Sequence, residues 1–230
     1  MSQLALPLRL ADHAVFASFL DAGNETLVAT LAAIAAGEQA QGCWLWGAAA
    51  TGKTHLLQAV CDRAGDRSVY VPLDMLAVAG PGILEGLGER ELVCIDDIER
   101  VAGEPGWEIA LFGLCNELAD AGGQLVVAAG AAPRECGFNL ADLESRLSRL
   151  PVFQVHTLDE QQRAAALQLR AKHRGLELPD ETAAYLLRHS RRDMASLYEL
   201  LDKLDLEALR AKRRLTIPFV RDVIAAGKQT

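Results

Sequence analysis

The spacing of hydrophobic residues along this chain changes character once. Up to about Val155, short apolar runs alternate with stretches whose apolar residues recur at helical spacing. The runs Cys43–Trp46, Ser68–Leu73, Leu92–Asp96, Gln124–Ala129 and Val152–Val155 predict strands. Between them, Thr54–Arg63, Trp107–Ala121 and Leu140–Leu147 predict helices. An earlier helix is expected over Glu25–Ala36, with Asn24 placed to cap it and Gly37 to stop it. Such alternation predicts a parallel sheet covered by helices on both faces. After Asp159 the strands stop. Glu160–Arg174, Pro179–His189, Asp193–Arg210 and Thr216–Ala225 then read as a helical bundle. Residues 1–12 show neither period and read as an extended arm. The expected organisation is an arm over 1–12, an α/β unit over 13–158 and a helical domain over 159–230.

Charge follows the same division. Residues 1–159 hold nine basic and 21 acidic side chains, a net of −12, whereas residues 160–230 hold 14 and ten, a net of +4. The total of −8 argues against a protein that coats nucleic acid through bulk charge. The longest apolar stretches, Val28–Ala36 and Leu125–Ala132, fall short of the roughly 20 residues a membrane helix needs. The five cysteines are odd in number and lack C-x-x-C spacing, as expected of reduced thiols in the cytoplasm. His13, His156, His173 and His189 show no metal-ligand spacing. Secreted, membrane and zinc-ribbon classes are thereby excluded.

One motif carries chemistry. Gly47, Ala48, Ala49, Ala50, Thr51, Gly52, Lys53 and Thr54 fit G-x-x-x-x-G-K-[ST], with a strand before and a helix after. In such a loop, successive backbone N–H groups curl around a phosphate and the helix N-terminus adds positive potential. Lys53 would reach the β- and γ-phosphates of ATP, and the Thr54 hydroxyl would ligate Mg²⁺. His55 follows the loop and reads as a nucleotide neighbour packed in the first helical turn. Downstream, the apolar run Leu92–Ile95 ends in Asp96 and Asp97. Acids at the carboxyl end of a buried strand stand where open α/β sheets bind ligands. Asp96 would hold Mg²⁺ through water, and Asp97 would polarise an attacking water.

With these residues the sequence resembles the AAA+ ATPases, and within them the replication initiator DnaA and its shorter relatives of the Hda family. The resemblance runs through the phosphate loop, Val93–Glu99, Asp142–Leu147, Arg192–Met194 and Leu215–Val220. It implies a P-loop parallel sheet with helices on both faces and a C-terminal helical lid. It also implies bound ADP or ATP with Mg²⁺. Arg146 matches an arginine finger that acts on nucleotide held by a neighbouring subunit, and Arg192 matches the lid arginine called sensor 2. Phe16 and Phe19 fall where the family's adenine pocket begins. Gln3, Leu4, Leu6, Pro7 and Leu8 match the Q-L-x-L-P-L peptide with which such proteins bind the DNA polymerase sliding clamp, its β subunit. The implied function is negative regulation of replication initiation, by stimulating hydrolysis of the ATP bound to DnaA.

Two departures qualify the match. Gly130 stands where the initiator has an acidic sensor 1, and Ala50 replaces a glycine central to many phosphate loops. The missing sensor 1 weakens the case for hydrolysis in this chain's own site, whereas binding is less affected because the backbone cradle and Lys53 remain. The alternatives are an autonomous AAA+ ATPase, acting as a loader or remodeller on its own ATP, and a small-molecule P-loop kinase. The helical bundle counts against a kinase. Homo-oligomerisation and direct DNA contact, for which Lys212, Arg213 and Arg214 are the candidates, are left open by the sequence.

Overall fold

A computed structural model describes residues 14–190, 193–211 and 213–226. The clamp-like peptide at Gln3–Leu8, together with His13, Arg192 and Lys212, lies outside the described residues. Five strands form one sheet: β1 (Cys43–Trp46), β2 (Ser68–Pro72), β3 (Leu92–Asp96), β4 (Gln124–Ala129) and β5 (Val152–Gln154). Their order is β2-β3-β4-β1-β5 and every pairing is parallel. Helix α1 (Glu25–Ala36) precedes β1, and the crossovers run through α2 (Lys53–Ala64), the single turn α3 (Leu73–Leu76), α4 (Pro105–Ala121) and α5 (Ala141–Leu147).

Alternation along the strands assigns each residue to a face. Cys43, Leu45, Leu92, Cys94, Val126 and Ala128 pack against α1 and α2. Trp44, Val93, Ile95, Val127 and Ala129 pack against α3, α4 and α5 through Leu73, Leu111, Leu114, Leu143 and Leu147. Trp44 is fully buried and donates its indole N–H to the Ala131 carbonyl at 3.0 Å. Trp46, two residues on and on the same face, is partly buried and packs against the same cluster. Cys43, Cys61 and Cys94 are buried, and all five cysteines are free thiols.

The lid comprises α6 (Glu160–His173), α7 (Asp180–His189), α8 (Met194–Ala211) and α9 (Ile217–Ala226). A capping box starts it: Asp159 Oδ1 accepts from the Gln162 backbone at 2.8 Å, and Gln162 Oε1 accepts from the Asp159 backbone at 2.9 Å. Its own core gathers Leu167, Leu186, Leu197, Leu201, Leu204, Phe219 and Val220. Arg174 bridges α6 to Asp202 of α8 at 2.7 Å. Arg213, a candidate DNA contact, lies 5.3 Å over the Phe219 ring and so helps to close the bundle.

Two features differ from the sequence reading. Residues 77–101 contain four further short 3-10 turns, which no periodicity signals because none of them buries more than two residues. Asn24 occupies the cap position of α1 without capping it. Its side-chain oxygen instead accepts the His156 backbone N–H at 2.9 Å, across 132 residues of sequence. No helix among the described residues is long and apolar enough to cross a membrane.

Candidate functional site

The loop Gly47–Gly52 leaves the carboxyl end of β1 and turns into α2, which starts at Lys53. Two glycines are required by space. A Cβ on Gly47 would lie 2.7 Å from the Val155 carbonyl oxygen, and one on Gly52 (φ +98°) would lie 2.7 Å from the Phe19 ring. Ala50, where a glycine is usual, adopts φ 60°. For an alanine that conformation stores about 1–2 kcal/mol of strain, held in place by the surrounding loop. The Lys53 ammonium is buried within the loop and donates to the Gly47 and Ala48 carbonyls at 2.8 and 3.0 Å.

Asp96 is 2% exposed at the carboxyl end of β3. Burial raises its pKa, opposed by hydrogen bonds from Thr54, Tyr70 and the Asp97 backbone and by the Lys53 charge. The Tyr70 hydroxyl donates at 2.8 Å and the Asp97 N–H at 3.2 Å. Lys53, Thr54 and Asp96 are therefore brought together as their motifs imply. Tyr70 was not evident from sequence, although its place two residues before the end of β2 puts it on one face with Pro72, opposite Cys94 of β3. Asp97 follows in the left-handed region at φ 54°, a conformation aspartate tolerates better than most residues. Burial and the nearby Asp96, Glu99 and Asp74 carboxylates push its pKa up to about 6.

Gly130 has a partner that sequence did not suggest. Glu99 Oε1 accepts the Gly130 N–H at 2.9 Å, and a Cβ on Gly130 would come within 3.1 Å of that oxygen. The end of β4 thus receives a carboxylate from the turn after β3, in place of a side chain of its own.

A cavity of 160 Å³ opens over the loop. Ala49, Ala50, Thr51, Gly52 and His55 form its floor; Phe19, Leu20 and Asn24 form one wall; Thr157, Leu158, Arg163, Asp193, Met194 and Tyr198 enclose it from the connector and lid. Phe19 lines it as expected, whereas Phe16 packs on the α1–α2 side of the sheet. His55 Nε2 meets the Val15 carbonyl at 3.0 Å and burial lowers its pKa, so its ring serves packing as well as the cavity wall. Lid residues Arg163, Met194 and Tyr198 were missed: their helices were legible, but which polar face turns toward the loop is a tertiary fact. Among the described residues, no cluster of three or more His, Cys, Asp or Glu could hold a metal by itself.

Arg146 lies elsewhere. It lines a second cavity, of 270 Å³, with Gly42, Gly122, Gly123, Arg149 and Leu150. Those residues immediately precede β1, β4 and β5, so Arg146 stands at the amino ends of the strands whose carboxyl ends carry the phosphate loop. Its guanidinium donates to Asn116 Oδ1 of α4 at 2.6 Å. The helix carrying it is anchored by Glu108, also on α4 and 2% exposed. The Glu108 carboxylate accepts the Gly103 N–H at 2.7 Å, the Asn139 N–H at 2.9 Å and the Leu140 N–H at 2.6 Å. Burial pushes Glu108 up, but those N–H groups outweigh it and leave its pKa below the usual carboxylate value. Its stabilisation is therefore complete above the unfolded-state value near about 4.3 and fades as pH falls through the lower folded value. Glu108→Gln should cost about 1–3 kcal/mol at neutral pH. Urea titrations of both proteins should show the difference shrinking in acid. A difference independent of pH would mean that shape, not charge, is what matters there.

Comparison with known proteins places this geometry. Residues 159–224 match the family model described as "Hda, lid domain". The fold is similar to domain III of the replication initiation protein DnaA of Thermotoga maritima, with a TM-score of 0.75 and 21% identity over 94% of this chain and 97% of that one. AMPPCP-bound DnaA from Aquifex aeolicus is similar at a TM-score of 0.70 and 22% identity, over 88% and 68% of the two chains. The Thermotoga maritima RuvB Holliday junction branch migration motor is similar at 0.63 and 18%, over 89% and 69%.

Proposed function

We propose that this chain, whose fold is similar to domain III of DnaA and whose residues 159–224 match an Hda lid model, is an AAA+ regulator of replication initiation that binds an adenine nucleotide and acts on DnaA. Residues 3–8 dock on the sliding clamp, and Arg146 is presented to ATP held by DnaA, which hydrolyses it and becomes inactive. The arm (1–12), sheet unit (13–158) and lid (159–230) divide that work. Setting, by resemblance, is the cytoplasm, and the resident nucleotide is ADP.

The observation that carries this reading is the separation of Arg146 from the chain's own phosphate loop by the full length of the strands. A guanidinium there cannot serve the resident nucleotide, but it can serve one brought by another molecule. Arginine fingers spread positive charge over the γ-phosphoryl oxygens in the transition state. In the chain's own site, Lys53 and the loop N–H groups would hold the phosphates. Thr54 and Asp96 supply hard oxygen donors side by side, which suits Mg²⁺ held mainly by phosphate and water. The ion, when bound, would neutralise phosphate charge. An autonomous ATPase would rest on Asp96 and Asp97 instead. The absence of a side chain at Gly130, with its N–H engaged by Glu99, favours the regulator.

The test is hydrolysis of ATP on DnaA in the presence of clamp loaded on DNA, with and without this chain. Stimulation should need both chain and clamp, and deletion of residues 1–8 should abolish it while ADP affinity and melting temperature stay the same. Rapid hydrolysis by the chain alone, with DnaA unaffected, would favour the autonomous enzyme.

A further inference from the structure

We propose that Asn24 reads the edge of the nucleotide base and ties that reading to the connector between sheet and lid. The proposal rests on the reading of the 160 Å³ cavity as a nucleotide site. Phosphates belong on the loop floor, so the base belongs against the remaining walls: Phe19, Leu20, Leu158, Met194 and Tyr198, which are apolar or aromatic. Tyr198 is stiffened from the lid side, where the Arg170 guanidinium lies 4.3 Å from its ring centroid.

Asn24 is the buried amide in that wall, 3% exposed. Its orientation is fixed without recourse to any ligand. The His156 backbone N–H can meet only the oxygen, at 2.9 Å, so the NH₂ group faces the other way. That group has two hydrogens to donate. Among the described residues its one hydrogen-bond partner is the Ala22 carbonyl at 3.5 Å, at the limit of a hydrogen bond. A buried donor left so poorly satisfied is costly, and a ring nitrogen on a purine would satisfy it. Adenine offers such acceptors at N1, N3 and N7.

The same side chain holds the connector. His156 lies between β5 and α6, and its neighbours Thr157 and Leu158 line the cavity. A base bound through the Asn24 NH₂ group polarises the amide and strengthens the bond from the His156 N–H to its oxygen. Base occupancy and the position of the connector thus share one carboxamide.

The experiment is calorimetric titration of the full chain with ADP and with 1-deaza-, 3-deaza- and 7-deaza-ADP. One analogue should bind about tenfold more weakly than ADP, the loss expected for one hydrogen bond. In Asn24→Ala that penalty should vanish, because the donor is gone. Asn24→Asp keeps an oxygen for His156 and guards against a folding defect; it too should fail to distinguish the analogue from ADP. If all three analogues bind the wild-type chain as ADP does, or if the penalty survives in both variants, Asn24 does not read the base. A wild-type chain that binds no ADP at all would overturn the nucleotide reading and this inference together.

Discussion

Arg146→Ala should reduce stimulated hydrolysis of DnaA-bound ATP by about 10³-fold or more, the range over which arginine fingers act. The chain's folding, ADP affinity and clamp binding should be unchanged. The guanidinium touches Asn116 and no part of the phosphate loop, and it is only partly buried, so its removal leaves neither an unpaired buried charge nor a disturbed nucleotide site. Arg146→Lys should rescue poorly, since an ammonium lacks the planar fork that meets two phosphoryl oxygens at once. Asn116→Ala offers a graded companion: the charge stays but loses its 2.6 Å anchor, so a partial loss is expected. Rates measured by release of inorganic phosphate from DnaA preloaded with labelled ATP decide the matter. Undiminished stimulation by the alanine variant would remove the in-trans role.

Lys53→Ala should weaken ADP binding by about 2–4 kcal/mol, roughly 30- to 1000-fold, as a charge-assisted phosphate contact is lost. The loop itself supplies the reason for expecting a large effect. Lys53 bonds the Gly47 and Ala48 carbonyls, so the ammonium already sits inside the curl where a phosphate would lie. It also faces Asp96, whose charge it helps to hold. Removal therefore subtracts a ligand contact and leaves a buried carboxylate less compensated. Isothermal titration with ADP, alongside a thermal melt, separates the two consequences. Equal affinities would show that the loop is a strand-to-helix turn and nothing more.

What was legible from sequence followed local physics. The five strands could be read because each is a short apolar run bounded by turn residues, and α1 could be read from its period and Gly37. The phosphate loop is contiguous, so its chemistry is written in eight successive residues. Asp96 was readable because a buried strand ends there. Other parts of the site depend on long-range placement. Tyr70 reaches Asp96 only because β2 and β3 are neighbours in register. Glu108 reads as one more polar residue on a helix until the loop at 139–140 closes over it. Asn24 was assigned a local duty, capping α1, that the fold replaces with a distant one. Side chains that belong to a contiguous motif could be assigned, and those whose partners lie 26 to 132 residues away could not.

The parallel sheet has a consequence for symmetry. All five strands point one way, so the molecule has two unlike ends: the Gly47–Gly52 loop at one and the positive charge of Arg146, held by Asn116, at the other. A two-fold axis pairs like with like, so an isologous dimer joined through either end would set cradle against cradle or arginine against arginine. An end-to-end complex in which this guanidinium reaches another subunit's cradle is heterologous, with the two molecules sharing a direction. Such contacts leave a free end on each side. A subunit of this kind added to a row of its relatives therefore has a choice of two positions, first or last, and only one of them puts its arginine to use.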